Sequence, residues 1–178
     1  ENGIVTLEDY PIVDYILGLE KEDPIAKAYY KTFSSPMQRL ITSYCQSGGH
    51  LFVSGAYVGS DMSGTQGNRE FTEKVLKYGY QNSLTDKISG QINGLGRSIT
   101  IPRLPNETSY AVTAPDCIVP VAPAFPVFTY ARGNQSAGIA YKGADYRTFV
   151  LGFPFESIQS ETDRASIMAG ILGFFTQK

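Results

Sequence analysis

The chain has 178 residues, of which 42% are hydrophobic and 18% are charged, and its formal net charge is −2. This length supports one medium-sized domain with its own core. The near-neutral charge and the lack of a basic run exclude the surface of a nucleic-acid-binding protein. We therefore expect no nucleic-acid partner. No apolar run approaches the ~20 residues that cross a bilayer, so we expect no membrane span.

The first residues, Glu1-Asn2-Gly3, lack an initiating Met, which is typical of a processed protein or of a fragment. We expect residues 1–178 to be a single domain and a fragment of a larger multidomain protein, whose other domains are its partners, because one or two strands are expected before the first one identified. Twelve Tyr, eighteen Gly, no Trp and few charges are typical of a secreted or envelope protein. The expected location is secreted, periplasmic or on the cell surface.

Three elements are predicted in the first third of the chain. Residues 11–17 predict a buried strand, with a helix as the alternative because their apolar residues also fit a helical face. Ser34-Ser35-Pro36 predicts a helix start, and Gly48-Gly49 predicts the end of that helix. Leu51-Phe52-Val53 lacks polar alternation, which predicts a strand covered on both faces.

A glycine-rich loop over 55–68 and a helix over 69–78 follow. Residues 87–142 hold short apolar pieces between turn residues, which predicts short strands and excursions at an edge of the sheet. Residues 147–153 predict another buried strand, and a helix over 165–175 follows a capping-box-like start. Helices alternating with buried strands predict an α/β fold, a three-layer sandwich around a mostly parallel sheet.

Two segments carry a resemblance to a known family: Gly48-Gly49-His50-Leu51-Phe52-Val53-Ser54-Gly55 and Val150-Leu151-Gly152-Phe153-Pro154-Phe155-Glu156. With them, residues 13–175 resemble a degenerate class I glutamine amidotransferase-like domain. They are similar to the C-terminal regions of xanthan lyase-like and golvesin-containing secreted proteins from Bacteroidetes. The resemblance implies a flavodoxin-like fold. Active members have Cys after the first of these strands, where this chain has Gly55 or Ala56, and a His that the second segment lacks. Amidotransferase activity is therefore not expected.

Ligands bind at the carboxyl ends of parallel strands, so candidate residues are sought there. The catalytic candidates are Ser54, Asp61 and Glu156, and the ligand-binding candidates are Tyr57 and Ser60. The alternatives are a turn that caps its own backbone at 60–61, and a carboxylate favoured by the dipole of the last helix at 156. We expect neither metal nor cofactor, because the single histidine has no spaced cluster of further ligands. Both cysteines are expected to be buried free thiols rather than a disulfide.

These observations favour a non-catalytic accessory or interaction module of a secreted protein that handles polysaccharide or cell wall. One alternative is a hydrolase or lyase that acts on polysaccharide at the strand edge. Another is a carbohydrate-binding module, in which tyrosines stack on sugars: Tyr110, Tyr130, Tyr141 and Tyr146. An enzyme predicts a pocket with convergent polar groups, a scaffold predicts an edge plugged by aromatic rings, and a sugar binder predicts exposed coplanar tyrosines.

Overall fold

A computed structural model of the chain describes residues 6–26, 30–85 and 90–177. The strands in these ranges are β1 (Ile12–Gly18), β2 (His50–Gly55), β3 (Tyr78–Ser83), β4 (Gln91–Gly94), β5 (Arg97–Thr100), β6 (Asp116–Pro120), β7 (Phe125–Tyr130), β8 (Ser136–Lys142) and β9 (Arg147–Leu151). The helices are α1 (Ser35–Gln46), α2 (Gln66–Phe71) and α3 (Glu161–Thr176), and a π-helical turn over Thr72–Leu76 continues α2.

The main sheet has seven strands in the order β1-β2-β9-β8-β7-β4-β5. Only β1, β2 and β9 run parallel to one another, and the other four neighbouring pairs are antiparallel. Strands β3 and β6 form a separate antiparallel ribbon. The prediction of a three-layer, mostly parallel, flavodoxin-like sandwich is therefore wrong, because the fold is a curled, mixed and mostly antiparallel sheet with few helices.

The error lies in the middle of the chain, which we predicted as short strands and excursions at an edge of the sheet. Strands β4, β5, β7 and β8 come from this region and make up four of the seven strands of the main sheet. The β4–β5 hairpin turns at Leu95 and Gly96, whose φ values of 49° and 73° belong to a two-residue turn that matches the twist of antiparallel strands. Residues 87–89 lie outside the described ranges.

Side chains of β2 alternate between two apolar clusters on opposite faces of the sheet. Leu51 and Val53 share one cluster with residues of α1, and Phe52 shares the other with residues of α3. Burying each such side chain stabilises the fold by ~1.5–3 kcal/mol. The predicted double coverage of this strand is confirmed, because all three residues are at most 1% exposed.

The predicted helix ends are confirmed in part. Ser34 caps α1, because its Oγ accepts a hydrogen bond from the N–H of Met37. Ser160 caps α3 in the same way, so that helix begins at Glu161, earlier than predicted. The helix predicted over 69–78 instead ends at Leu76. No helix among the described residues is long and apolar enough to cross a membrane.

Candidate functional site

The carboxyl ends of the parallel strands β1, β2 and β9 lie side by side, and the chain after β9 folds back over them. Glu156 reaches β1, where a Cβ placed on Gly18 would lie 3.2 Å from Glu156 Oε1. The hydroxyl of Tyr110 donates to the same Oε1 atom at 2.5 Å. We call the group of Glu156, Tyr110 and Gly18 the edge site, and the negative charge of Glu156 also acts on Asp14, nearer the start of β1.

Asp14 lies on β1, the edge strand of the main sheet. The residue is exposed, although its carboxylate is partly removed from water. This desolvation and, second, the negative charge of Glu156 raise the pKa of Asp14 from 3.8 to about 6. Burial and the hydrogen bond to Glu156 raise the pKa of Tyr110, so its hydroxyl stays protonated and donates.

The raised pKa of Asp14 predicts a pH-dependent stability. Between 3.8 and about 6 the folded chain holds a proton that the unfolded chain has lost, so stability falls as pH rises through this window. We expect Asp14→Asn to be more stable than the wild type above this window, by at most about 1 kcal/mol because Asp14 is exposed. Below pH 3.8 the two proteins become equally stable.

Urea unfolding at the two ends of this pH window measures the effect. Asp145→Asn is the control, because it removes an exposed carboxylate from the turn before β9, at the opposite end of that strand. An equal benefit from both variants, or a benefit of Asp14→Asn that is independent of pH, contradicts the account of Asp14.

Aromatic rings cover part of the strand ends around the edge site. Phe155 meets Phe52 edge-on with ring centroids 5.6 Å apart, and the buried Phe153 meets Phe128 at 6.0 Å. Tyr57 is half-buried beneath Lys21, whose Nζ lies 4.7 Å from the ring centroid. Such a filled edge is the arrangement that we expected of a scaffold.

Ser54 is fully buried in β2, and its Oγ has no hydrogen-bond partner among the described residues. It pairs with Ile16 on β1 and with Leu151 on β9, so its side chain faces the same side of the sheet as Asp14 two residues earlier along β1. Ser54 therefore lies on the same face of the sheet as Asp14, and among the described residues its Oγ makes no hydrogen bond to Glu156.

Asp61 and Ser60 hold loops together. Asp61 Oδ2 accepts from the N–H and the hydroxyl of Thr32, and Oδ1 accepts from the N–H of Glu22, each at 3.0 Å. Ser60 donates through its N–H and its hydroxyl to Asp116 Oδ2, at 2.7 and 3.0 Å. Among the described residues no hydrogen bond or ion pair joins either residue to Glu156, so the structure brings only Glu156 of the catalytic candidates into the edge site.

The two thiols lie in the apolar core, and the imidazole of His50 packs against it. Cys45 and Cys117 are free and buried, as predicted, and burial raises the pKa of Cys45 to about 12. His50 Nδ1 accepts from the N–H of Arg147 at 3.3 Å, and its ring stacks on Phe175. Burial and the charge of Arg147 lower the pKa of His50. Over the described ranges, no group of three His, Cys, Asp or Glu side chains is placed to hold a metal.

The four tyrosines that we considered for stacking on sugars differ in exposure. Tyr130 is 3% exposed and belongs to the core, whereas Tyr110 is 37% exposed beside Glu156. The rings of Tyr141 and Tyr146 are tilted by 59° and do not form a flat platform. Only Tyr110 therefore combines an exposed ring with a position at the edge site.

Sequence reasoning missed two residues of this region. Asp14 had a signal, because it is the single charged residue of an otherwise apolar strand. Asp116 carries more hydrogen bonds than any predicted candidate, but its partners at 59, 60 and 83 are distant in sequence. Nothing in the local sequence around Asp116 indicates that role.

The comparisons with known proteins concern the fold alone. No family model matches the sequence, and no curated protein matches it. Among solved structures, a catalytic mutant of Gan42B, a GH42 β-galactosidase from G. stearothermophilus, is similar to this chain with a TM-score of 0.62 and 11% identity. The likeness covers 95% of this chain and 22% of that one. A β-galactosidase from the Antarctic haloarchaeon Halorubrum lacusprofundi gives a TM-score of 0.59 at 14% identity, over 96% and 23% of the two chains.

The chain thus spans about a fifth of the length of these β-galactosidases. The mmIFT52 N-terminal domain is also similar, with a TM-score of 0.51 at 14% identity, over 82% of this chain and 73% of that one. These neighbours do not support the resemblance to glutamine amidotransferase-like domains. That identification is wrong, since the fold it implied is not the fold observed.

Proposed function

We propose that the chain is a non-catalytic accessory domain of a larger, secreted protein that processes carbohydrate. The likeness of almost the whole chain to about a fifth of a GH42 β-galactosidase carries the proposal. The neighbouring chains contain this fold together with much additional sequence, which supports a role as one domain among several. The likeness to the mmIFT52 domain means that the fold alone does not decide the chemistry.

The chemistry of the strand edge supports a role without catalysis. A nucleophile needs a base within hydrogen-bond reach. Ser54 Oγ is buried without such a base among the described residues, and Asp61 is occupied by backbone and hydroxyl donors. The ring of Phe155 meets Phe52 edge-on, with ring centroids 5.6 Å apart.

Composition supports the location. Low charge and many Tyr and Gly residues are typical of exported proteins, and two segments match the glycosylation sequon, Asn106-Glu107-Thr108 and Asn134-Gln135-Ser136. Fractionation of the native host followed by immunodetection tests this part of the proposal. A signal confined to the cytoplasm contradicts it.

We expect the chain to release no product from chromogenic β-galactosides or from soluble polysaccharides. The comparison is with Glu156→Gln, which removes the charge at the edge site and keeps the side-chain shape. Glu73→Gln is the matched control, because it removes an exposed carboxylate from the π-helical turn. Equal background in all three proteins supports the accessory role. Release that Glu156→Gln abolishes and Glu73→Gln retains would overturn it.

A second candidate is a glycoside hydrolase that uses Asp14 and Glu156. Burial and, second, the charge of Glu156 raise the pKa of Asp14 to about 6, a value at which a carboxyl group can act as a general acid. This candidate predicts a rate that falls above about pH 6 as Asp14 loses its proton. The same assay, run across pH, separates it from the accessory role.

A further inference from the structure

A polar cleft lies beside Glu156. It has a volume of about 480 Å³, within the range of ~300–1,000 Å³ that holds small ligands. Its walls are the 108–109 segment and the start of α3 with the residues before it. The polar residues that line it are Thr108, Ser109, Glu156, Ser157, Gln159, Glu161 and Arg164.

Glu156 joins this cleft to the edge site. The hydroxyl of Tyr110 donates a hydrogen bond to Glu156 Oε1, and this bond holds the carboxylate in place. The other oxygen, Oε2, has no hydrogen-bond partner among the described residues, and neither do the side chains of Gln159 and Glu161. The two carboxylates can accept hydrogen bonds from hydroxyl groups of a ligand, and the Gln159 amide can both accept and donate.

Tyr110 fixes one oxygen of this carboxylate without lining the cleft itself. The residue is 37% exposed, and its hydroxyl donates to Glu156 Oε1 at 2.5 Å. A carboxylate held in one orientation at the wall of a polar cleft is the kind of placed polar group that small-molecule sites use to fix a ligand.

The charge of the cleft selects among ligands. Glu156 and Glu161 line it together with a single cation, Arg164, whose guanidinium donates to the carbonyl oxygens of Ile158 and Gln159. The nearby Arg97 is paired with Asp163 at 2.8 Å. The cleft is therefore net negative, and it disfavours an anionic ligand by like-charge repulsion.

We propose that this cleft binds one neutral sugar unit of a polysaccharide, with Glu156 accepting from sugar hydroxyls and Tyr110 holding the Glu156 carboxylate in place, and that it rejects acidic sugars. The inference rests on the proposed carbohydrate role and names the class of sugar. We assign binding alone to this cleft and no cleavage step.

The test is an NMR titration of the ¹⁵N-labelled 178-residue chain with galactose, and separately with galacturonate, its acidic counterpart. We expect galactose to shift backbone amides of residues 108–110 and 156–164, with a Kd of roughly 1–10 mM for one small polar sugar. Galacturonate should bind about tenfold more weakly or not at all, because of the carboxylates in the cleft.

Two variants examine the residues that carry the proposal. Glu156→Gln should weaken galactose binding about tenfold, because it replaces charge-assisted hydrogen bonds with neutral ones. The same variant should reduce the discrimination against galacturonate. Tyr110→Phe keeps the ring and removes the hydroxyl that orients Glu156. We expect this variant to lose less affinity for galactose, about threefold. Glu73→Gln changes the net charge equally and should change neither affinity.

The outcomes separate this inference from the proposed function. Galactose shifts at other amides overturn the cleft and leave a carbohydrate role standing. Galacturonate binding as tight as that of galactose overturns the neutral selectivity, and so does galactosamine binding far more tightly than galactose. No shift with any sugar overturns the cleft, while the accessory role still depends on the product-release assay. A reduced affinity in Glu73→Gln equal to that in Glu156→Gln also overturns the role of Glu156.

Discussion

Replacing Asp116 with Ala is expected to lower the free energy of unfolding by about 3–5 kcal/mol. Asp116 is fully buried at the start of β6. Its Oδ2 accepts from the N–H groups of Gly59 and Ser60, at 2.8 and 2.7 Å, and from the Ser60 hydroxyl. Its Oδ1 accepts from the hydroxyl of Ser83 at 2.7 Å. Without the carboxylate, these donors lose their partner where water has poor access.

Two further variants make this prediction specific. Asp116→Asn should cost only about 1–2 kcal/mol, because an amide can still accept from the two N–H groups and donate to the Ser83 hydroxyl. Asp145→Ala removes an exposed carboxylate and should change stability by less than about 0.5 kcal/mol. Urea unfolding followed by circular dichroism measures all three. Equal losses in the Asn and Ala variants would show that the hydrogen bonds at Asp116 do not hold the loop.

Replacing Gly152 with Ala is expected to lower the free energy of unfolding by at least about 3 kcal/mol. Gly152 follows β9, and its Cβ would lie 2.1 Å from the carbonyl oxygen of Asp116. The atoms nearest to this Cβ all belong to the backbone, so no side-chain rotation relieves the overlap. Gly152 also bridges two strands, since its N–H donates to Ala137 and its carbonyl accepts from Asp116, each at 2.8 Å.

The matched control is Gly173→Ala in α3. A Cβ at Gly173 meets no atom within 4 Å. Because alanine has a higher helix propensity than glycine, this variant should have a free energy of unfolding that is higher by ~0.5–1 kcal/mol. The two Gly→Ala changes therefore have opposite expected signs, measured by the same urea unfolding. A stable Gly152→Ala protein would contradict the close approach of β6 to the end of β9.

Local signals in the sequence predicted the elements that local forces decide. The cap at Ser34 and the apolar stripe after it specify α1, because both act within a few residues of the helix start. The apolar run at 51–53 specified a doubly covered strand for the same reason. Neither signal says which strand is the neighbour, or in which direction that neighbour runs.

Sheet direction depended on turns in the middle of the chain. The turn residues are Leu95 and Gly96, and leucine rarely adopts the positive φ of Leu95. The Asn-Gly pair that is typical of such turns lies two residues earlier, at 93–94. We interpreted prolines in this region as marks of edge excursions, yet Pro126 lies within β7, a strand with neighbours on both sides. The parallel sheet was inferred from strands on either side of a region that contributes most of the antiparallel pairs.

The candidate site could be predicted only in part. Glu156 was found because it follows a recognisable buried strand. Its partner Tyr110 is 46 residues away in sequence, and Asp14 is farther still. Contacts of this kind depend on how distant segments pack, and a single sequence does not show them.

The central claim is that the region around Glu156 binds carbohydrate without cleaving it. One measurement tests both halves: ¹H NMR of lactose with the 178-residue chain, recording saturation transfer and the appearance of free galactose in the same tube. The account predicts saturation transfer to lactose, a reduced transfer with Glu156→Gln, and no galactose over days. Galactose that accumulates with the wild type and not with Glu156→Gln would contradict the account, and so would a complete lack of saturation transfer.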